Sequence, residues 1–374
     1  MITSPLAQLA VMESLTDEEI LSRYAYTPER IKTGMVRVSN VSTLPLPRQW
    51  QTLHSLGQLD SLPTEVLQLM LDHLDFLSLA RLARTARRGQ ELVASFPAYH
   101  LVRRHASETL AALSAMSILY LHSASLLREA LHSSECSCCG NFGAFLFLLS
   151  CERCCFQCIS TKPALWVLPR PDASKCFNLS AKQLKALPSA RSLSGKYCVL
   201  FDISRTRPLH LVSVRAAKKL ALQVHGSEAA VTSHVPSARL SNNLQGNLAL
   251  LQHTQLDFSK HDPFLGSNPG NDWYNGMATI RFPHLPVAHE DSDWGSWCRG
   301  CKLVWRKADH NELDTAQMSQ IVPQDRHPGA FCFRFALREW PRADFSGHAR
   351  SCYGVQVLEE RFRDGTLGAL DDFL

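Results

Sequence analysis

Seven of the chain's thirteen cysteines fall between Cys136 and Cys158. They are arranged as Cys136-Ser-Cys138-Cys139-Gly140, an apolar run from Gly143 to Leu149, and Cys151-Glu-Arg-Cys154-Cys155-Phe-Gln-Cys158. Packing explains so dense a set poorly, and metal coordination explains it well. A Cys-x-x-Cys turn closed by glycine points two sulfurs at one ion, and a second pair completes the tetrahedron that zinc prefers. Cys136 and Cys139 are the first pair. The second is open between Cys151/Cys154 and Cys155/Cys158, which have the same spacing. Cys155 and Cys158 are preferred, because the sequence there turns from an extended run into a helix over Phe156 to Leu165, and a helix start favours bound thiolates. A second set joins Cys298-Arg-Gly-Cys301 to His348-Ala-Arg-Ser-Cys352. One helical turn separates His348 from Cys352, so the two share a face and complete a Cys-Cys-His-Cys site for a second structural zinc ion. Cys138, Cys176, Cys198 and Cys332 read as small buried apolar residues.

The elements that must hold these ligands suggest an α+β fold, mostly helical with short strands. Residues 1–56 carry no recognisable chemistry and read as a mobile leader. In residues 62–95, Val66, Leu67, Met70, Leu71 and Leu74 recur at helical spacing as one wide apolar stripe. Pro63 and Glu65 suit a helix start, Asp75 and Ser78 suit the start of a second helix, and Thr85 the start of a third. Helical spacing resumes over residues 100–132 and leads into the cysteine cluster. Beyond it, Tyr197 to Leu200 and Leu209 to Val214 read as strands and Arg215 to Val224 as a helix. Residues 226–271 lose periodicity and read as a flexible connection, Gly266 to Gly276 as a loop without the Gly-Lys-Ser/Thr ending of a phosphate cradle, and Met277 to Phe282 as a strand. The 46 residues between Cys301 and His348 read as a long loop.

With 374 residues the chain allows two or three domains, and its net charge of +5 is too mild to argue for nucleic acid by itself. The N-terminus lacks the positive start and apolar core of a secretory signal, and the longest apolar stretch, Leu110 to Leu121, is broken by serines, so the cytoplasm or nucleus is expected. The sequons at Asn40 and Asn178 are then chance matches.

Leu62-Pro63-Thr64-Glu65-Val66-Leu67, Leu74-Asp75 and Ser78-Leu79-Ala80-Arg81-Leu82, followed by Ala86-Arg87-Arg88 and Glu91-Leu92-Val93, closely resemble an F-box of the filamentous-fungal style. The cysteine cluster is similar to a Cys-x-Arg-Val-Cys-x-x-Cys pattern of such fungal proteins, with Cys154 where the pattern has an apolar residue, and Phe345 to Gly354 is similar to their closing helix. The resemblance covers residues 62 to about 225 and 297 to 354; with it the chain divides into the leader over 1–56, an F-box domain over 57–104, a helical region with the zinc-knuckle cluster over 105–225, the connection over 226–271 and a C-terminal region over 272–374. It implies a non-catalytic substrate-receptor subunit of an SCF-type cullin-RING ubiquitin ligase. Leu62, Pro63, Val66, Leu67, Met70, Leu74, Leu79 and Leu82 would meet the Skp-type adaptor, which joins the chain to the cullin scaffold. A segment this short cannot cover both sides of three helices, so an exposed apolar face and a partner are expected.

Two other readings compete. Arg81, Arg84, Arg87, Arg88, Arg103 and Arg104 near cysteine clusters would suit a zinc-dependent nucleic-acid binder, but no basic run with interleaved aromatics accompanies them. A metallohydrolase needs an open zinc position for water, and the second set would fill all four.

Overall fold

The computed structural model describes residues 15–38, 55–198, 202–237, 239–258, 262, 274, 276–287 and 291–364. About 54% of it is helix and 12% strand in small sheets, an α+β fold.

The segment expected to be a mobile leader is folded wherever it is described. Helix α1 (Asp17–Tyr24) starts in a capping box, Thr16 and Glu19 each accepting from the other's backbone N–H, and Ile20 and Tyr24 are fully buried. Strand β1 (Ala25–Tyr26) and helix α2 (Glu29–Thr33) follow, and Val36 donates its N–H to Thr279 across the molecule. The sequence hides this because the partners of these residues lie about 240 to 335 positions away.

Three short helices then appear where spacing placed them: α3 (Thr64–Asp72), α4 (Phe76–Leu82) and α5 (Arg87–Ser95). Asp75 caps α4 through the Ser78 N–H at 2.9 Å, as its side chain suggested. Thr85 does not cap α5; its hydroxyl donates back to the Leu82 carbonyl, and Ala86 precedes the helix without a side-chain cap. Helices α6 (Pro97–His105), α7 (Ser107–Ala115) and α8 (Ala124–His132) continue the same core without a break, with the Phe76 and Tyr99 rings stacked at 5.3 Å. Residues 57–104 therefore share one hydrophobic interior with residues 106–159.

That interior closes on a three-stranded antiparallel sheet. β2 (Phe145–Phe147) lies between β3 (Glu152–Cys154) and the distant β9 (Thr279–Arg281), with Leu146 opposite both Arg153 and Ile280. Helix α9 (Phe156–Thr161) leaves β3 directly.

A second core lies on one face of the sheet of β4 (Val167–Pro169), β8 (His210–Ser213) and β5 (Ala190–Arg191), under helices α10 (Arg170–Phe177), α11 (Ala181–Lys185) and α12 (Val214–His225), while Val167, Ala190 and Leu211 of the same sheet join the first core. Ser180 caps α11 in a capping box. The β6 (Gly195–Cys198) and β7 (Asp202–Arg205) hairpin lies between them in sequence.

Residues 226–271, expected to be a flexible connection, carry helices α13 (Glu228–Thr232) and α14 (Asn242–Gln252). Val231, Leu244 and Leu251 enter the second core, and buried Lys218 on α12 ties α13 in through Glu228 and the Thr254 carbonyl, each at 2.6 Å. Most of Gly266 to Gly276, read as a loop, lies outside the described residues.

The C-terminal region begins at β10 (Trp297–Cys298) and runs through α15 (Arg299–Asp309), α16 (Thr315–Ile321), α17 (Pro328–Ala336), α18 (Arg342–Ser351) and α19 (Tyr353–Arg363). The stretch between Cys301 and His348 is thus helical, not the expected long loop. β1 pairs with β10, placing Ala25 opposite Cys298, so the start of the described chain completes the C-terminal unit. Gly300 and Gly354 let α15 and α19 touch: a Cβ on Gly354 would lie 2.0 Å from the Gly300 carbonyl oxygen.

Candidate metal centres and docking face

The first cysteine group is assembled by a turn and a helix start on either side of the β2–β3 hairpin. Cys136 to Gly140 form a tight turn, the Gly140 N–H bonding the Cys136 carbonyl at 2.9 Å with Gly140 at φ +76°, which a residue with a Cβ rarely adopts. Cys155 is the N-cap of α9, and its sulfur accepts the Cys158 N–H at 3.4 Å. The sulfurs of Cys136, Cys139, Cys155 and Cys158 all lie within 4.8 Å of one another. The second pair left open by spacing is therefore Cys155/Cys158. Cys151 stands outside at a left-handed turn, and the Cys154 thiol faces the Phe145 carbonyl.

The second group repeats the device with different parts. Cys298 is the N-cap of α15 with Cys301 in its first turn, His348 lies on α18, and Cys352 is the junction between α18 and α19. All four donor atoms lie within 4.8 Å of one another.

Distances inside the groups discriminate between a disulfide and a metal. A bonded pair would sit about 2.05 Å apart, whereas Cys139 and Cys155 are 3.7 Å apart, Cys301 and Cys352 3.7 Å, and Cys298 and Cys352 3.9 Å. A tetrahedron with zinc–sulfur bonds of about 2.3 Å has edges of about 3.8 Å. The Cys301 sulfur and His348 Nε2, at 3.2 Å, form a shorter edge, as a nitrogen ligand requires. Both groups thus match the dimensions of a metal-holding site, one with four thiolates and one with three thiolates and an imidazole.

Charge leads to the same conclusion. Without a cation the sulfurs oppose one another: hydrogen bonds from Cys138 and Cys139 drive the Cys136 thiol down, while bonds to Cys136 drive Cys158 up. Burial pushes Cys298 well above the thiol range, and hydrogen bonds from Cys298 and Cys301 drive Cys352 well below it. One dication at each centre would let all the sulfurs ionise together.

Sequence reasoning missed the residues that support the ligands. Arg153, buried within the first hairpin, spends its guanidinium on the carbonyls of Ala130, Gly143, Phe282 and Pro283, pinning β3 to a helix and to the chain beyond β9. The Glu339 carboxylate accepts the Phe156 N–H at 2.6 Å, beside ligand Cys155. Its neighbour Trp340 stacks on ligand His348, the rings 4.0 Å apart and 10° from parallel. None of these forms a motif. Arg153 follows Glu152 in a three-residue strand, so no alternation marks it as buried.

The residues expected to dock an adaptor divide between two surfaces. Leu67 and Leu79 are buried at 6% and 0%, filling the chain's own core with Leu71 and Phe76. Leu62, Leu74 and Leu82 are half-buried, and Pro63 is exposed. Val66 and Met70 are exposed at 40% and 44%, and Leu69, which does not belong to the stripe read from spacing, at 63%. The wide stripe is thus two faces: Leu67 and Leu71 on α3, with Leu74 just beyond its end, pack inward, while Val66, Leu69 and Met70, at positions i, i+3 and i+4, point to solvent. Of the arginines considered for nucleic acid, Arg87 pairs with Glu91 and Arg103 lies over the Tyr99 ring. No helix among the described residues is long and apolar enough to cross a membrane.

Comparison with protein-family models, with curated proteins and with solved structures gave no match.

Proposed function

We propose that this chain is the substrate-receptor subunit of an SCF-type cullin-RING ubiquitin ligase, docking its Skp-type adaptor through the outer face of α3, with both cysteine groups holding structural zinc. The observation that carries the reading is the apolar triplet Val66, Leu69 and Met70, left exposed beside Pro63 on a three-helix unit whose inner face is already filled. An adaptor would cover it. The remainder of the chain would hold a target protein, and the reaction would be helped by proximity alone, with no catalytic group supplied by this chain.

Burial decides which variants test this. Leu67→Ala would open a cavity and cost about 2–5 kcal/mol of fold stability whatever the partner, so it cannot report on docking. Val66→Asp with Met70→Asp changes only the outer face. Central interface anchors contribute about 2 kcal/mol or more each, so the pair should weaken adaptor binding roughly a thousandfold while zinc content and helicity hold. Co-purification with the adaptor by the folded double variant would refute the docking face. Metal analysis of the wild-type chain tests the zinc assignment separately, with two ions per chain expected.

A further inference from the structure

Three of the four ligands of the second group, Cys301, His348 and Cys352, line a cavity of about 220 Å³. Its other walls are mainly apolar, with Val304 from α15, Ile321 from α16 and Phe331 and Phe335 from α17. One water needs only about 10–15 Å³ of such space, so the cavity admits a small neutral molecule and brings it against two ligand sulfurs at once. Those sulfurs, of Cys301 and Cys352, are 3.7 Å apart. The first group differs: the cavity of about 380 Å³ beside it is lined by Cys136 and by none of Cys139, Cys155 and Cys158.

The sulfur ligands of the second group are not equally open. Cys352, at the junction of α18 and α19, is 8% exposed, against 3% for Cys301 and 1% for Cys298. Cys298 lies 3.9 Å from Cys352 but does not line the cavity. A reagent in the cavity therefore meets the Cys352 sulfur most readily, and the sulfur that shares the cavity with it is that of Cys301.

We propose that Cys301 and Cys352 form an oxidation site at the second metal centre, which takes hydrogen peroxide through this cavity and expels the ion. The proposal rests on the second group holding zinc. In the first step the Cys352 thiolate attacks one peroxide oxygen, the O–O bond breaks, and Cys352 becomes a sulfenic acid as hydroxide leaves. In the second, the Cys301 thiolate attacks the Cys352 sulfur, an S–S bond forms, the S–O bond breaks and a second hydroxide leaves. Each hydroxide takes a proton from solvent, so two electrons pass from the two sulfurs to the peroxide, which ends as two waters. The pair must close from 3.7 Å to about 2.05 Å, the length of the new bond. Cys298 and His348 are then the only ligands left, too few to retain the ion. The bridge joins the first turn of α15 to the junction of α18 and α19, so the C-terminal unit stays closed without its metal. A thiol reductant reverses the bridge and restores the site.

The test uses the purified full-length chain, reduced and zinc-loaded, treated with hydrogen peroxide while a chromogenic indicator follows zinc release. Peptide mapping without reduction then locates the bridge. Early release of one ion together with a Cys301–Cys352 bridge, both reversed by dithiothreitol and added zinc, supports the proposal. Val304→Phe and Ile321→Phe narrow the cavity without touching a ligand; each should keep the full zinc content and release that ion roughly fivefold or more slowly, because the oxidant's access is reduced. Release from both variants at the wild-type rate overturns the proposal, as does a first bridge that includes Cys332 or lies within the first group. Should the variants misfold, the wild-type peptide map alone still decides. A chain whose zinc content Cys352→Ser does not lower defeats the metal reading and the proposal with it, whereas a fully loaded chain inert to peroxide defeats only the oxidation site.

Discussion

The two cysteine groups use the same local device and differ in how far apart in the chain their ligands lie. Each places a Cys-x-x-Cys at the start of a helix, Cys155/Cys158 on α9 and Cys298/Cys301 on α15, where the helix dipole favours thiolates. The first group closes within 23 residues, from Cys136 to Cys158. The second must bring together Cys298, Cys301, His348 and Cys352, and its platform includes β1 and α1 from the other end of the described chain. A local group sits inside the main core and holds one hairpin against the helices around it. A distributed group, with an ion bound, would hold the two ends of the described residues together. Losing the ion should therefore do different things at each.

Cys155→Ser should have the larger effect. Structural zinc binding contributes about 10–16 kcal/mol in small domains, comparable to the whole stability of a typical domain at about 5–15 kcal/mol. The first group is embedded in the core that also holds α3 to α8. The variant should fail to accumulate as a soluble folded chain, or unfold in one step with complete loss of helicity, as followed by circular dichroism. A Cys155→Ser chain with wild-type helicity would show that the group is only a cluster of packed thiols.

Cys352→Ser should act locally. With three ligands left, α18 and α19 should detach, and with them α1, which holds to this unit through the buried Tyr24–Glu359 hydrogen bond and the Arg350–Asp17 pair at 2.8 Å. Limited proteolysis should then cut at both ends, near residues 15–38 and beyond residue 302, while residues 57–161 stay protected and adaptor binding persists. Cutting at the C-terminal end alone would mean that α1 does not depend on the second centre.

The same difference in sequence distance explains which features are legible in the sequence. The Cys-x-x-Cys pairs can be read there, because two residues between cysteines is local information, but spacing alone leaves Cys151/Cys154 beside Cys155/Cys158, and Cys352 sits at a helix junction rather than one turn along the helix of His348. The capped start of α4 at Asp75 is legible for the same reason. The role of the N-terminal segment is not, since Tyr24 and Ala25 have partners at Glu359 and Cys298 that no local pattern reveals. Helix α14 escapes notice because Asn242, Asn243 and Gln245 mask its apolar positions in composition, though Leu244 and Leu251 are buried. On α3 the apolar residues are plain but not their division into two faces, which depends on what packs against them.

Glu339 is where the two centres meet, and it gives the finest test of the comparison. Its side chain accepts the Phe156 N–H beside the first centre, while Trp340 stacks on His348 of the second and pairs through its backbone with Ser296, two residues before Cys298. Burial lifts the Glu339 carboxyl well above the usual carboxylate range, against the pull of the Phe156 N–H it accepts. An amide has nearly the same shape as a neutral acid and offers the same carbonyl acceptor. Glu339→Gln should therefore leave thermal stability almost unchanged, whereas Glu339→Ala strands the Phe156 N–H in a dry interior at about 1–3 kcal/mol. If residues 339–340 also transmit between the centres, Glu339→Ala should make first-centre zinc easier to extract by a chelator once Cys352→Ser has emptied the second. The combined loss would then exceed the sum of the single losses. Additive losses would mean that the two centres fold independently, joined in space but not in energy.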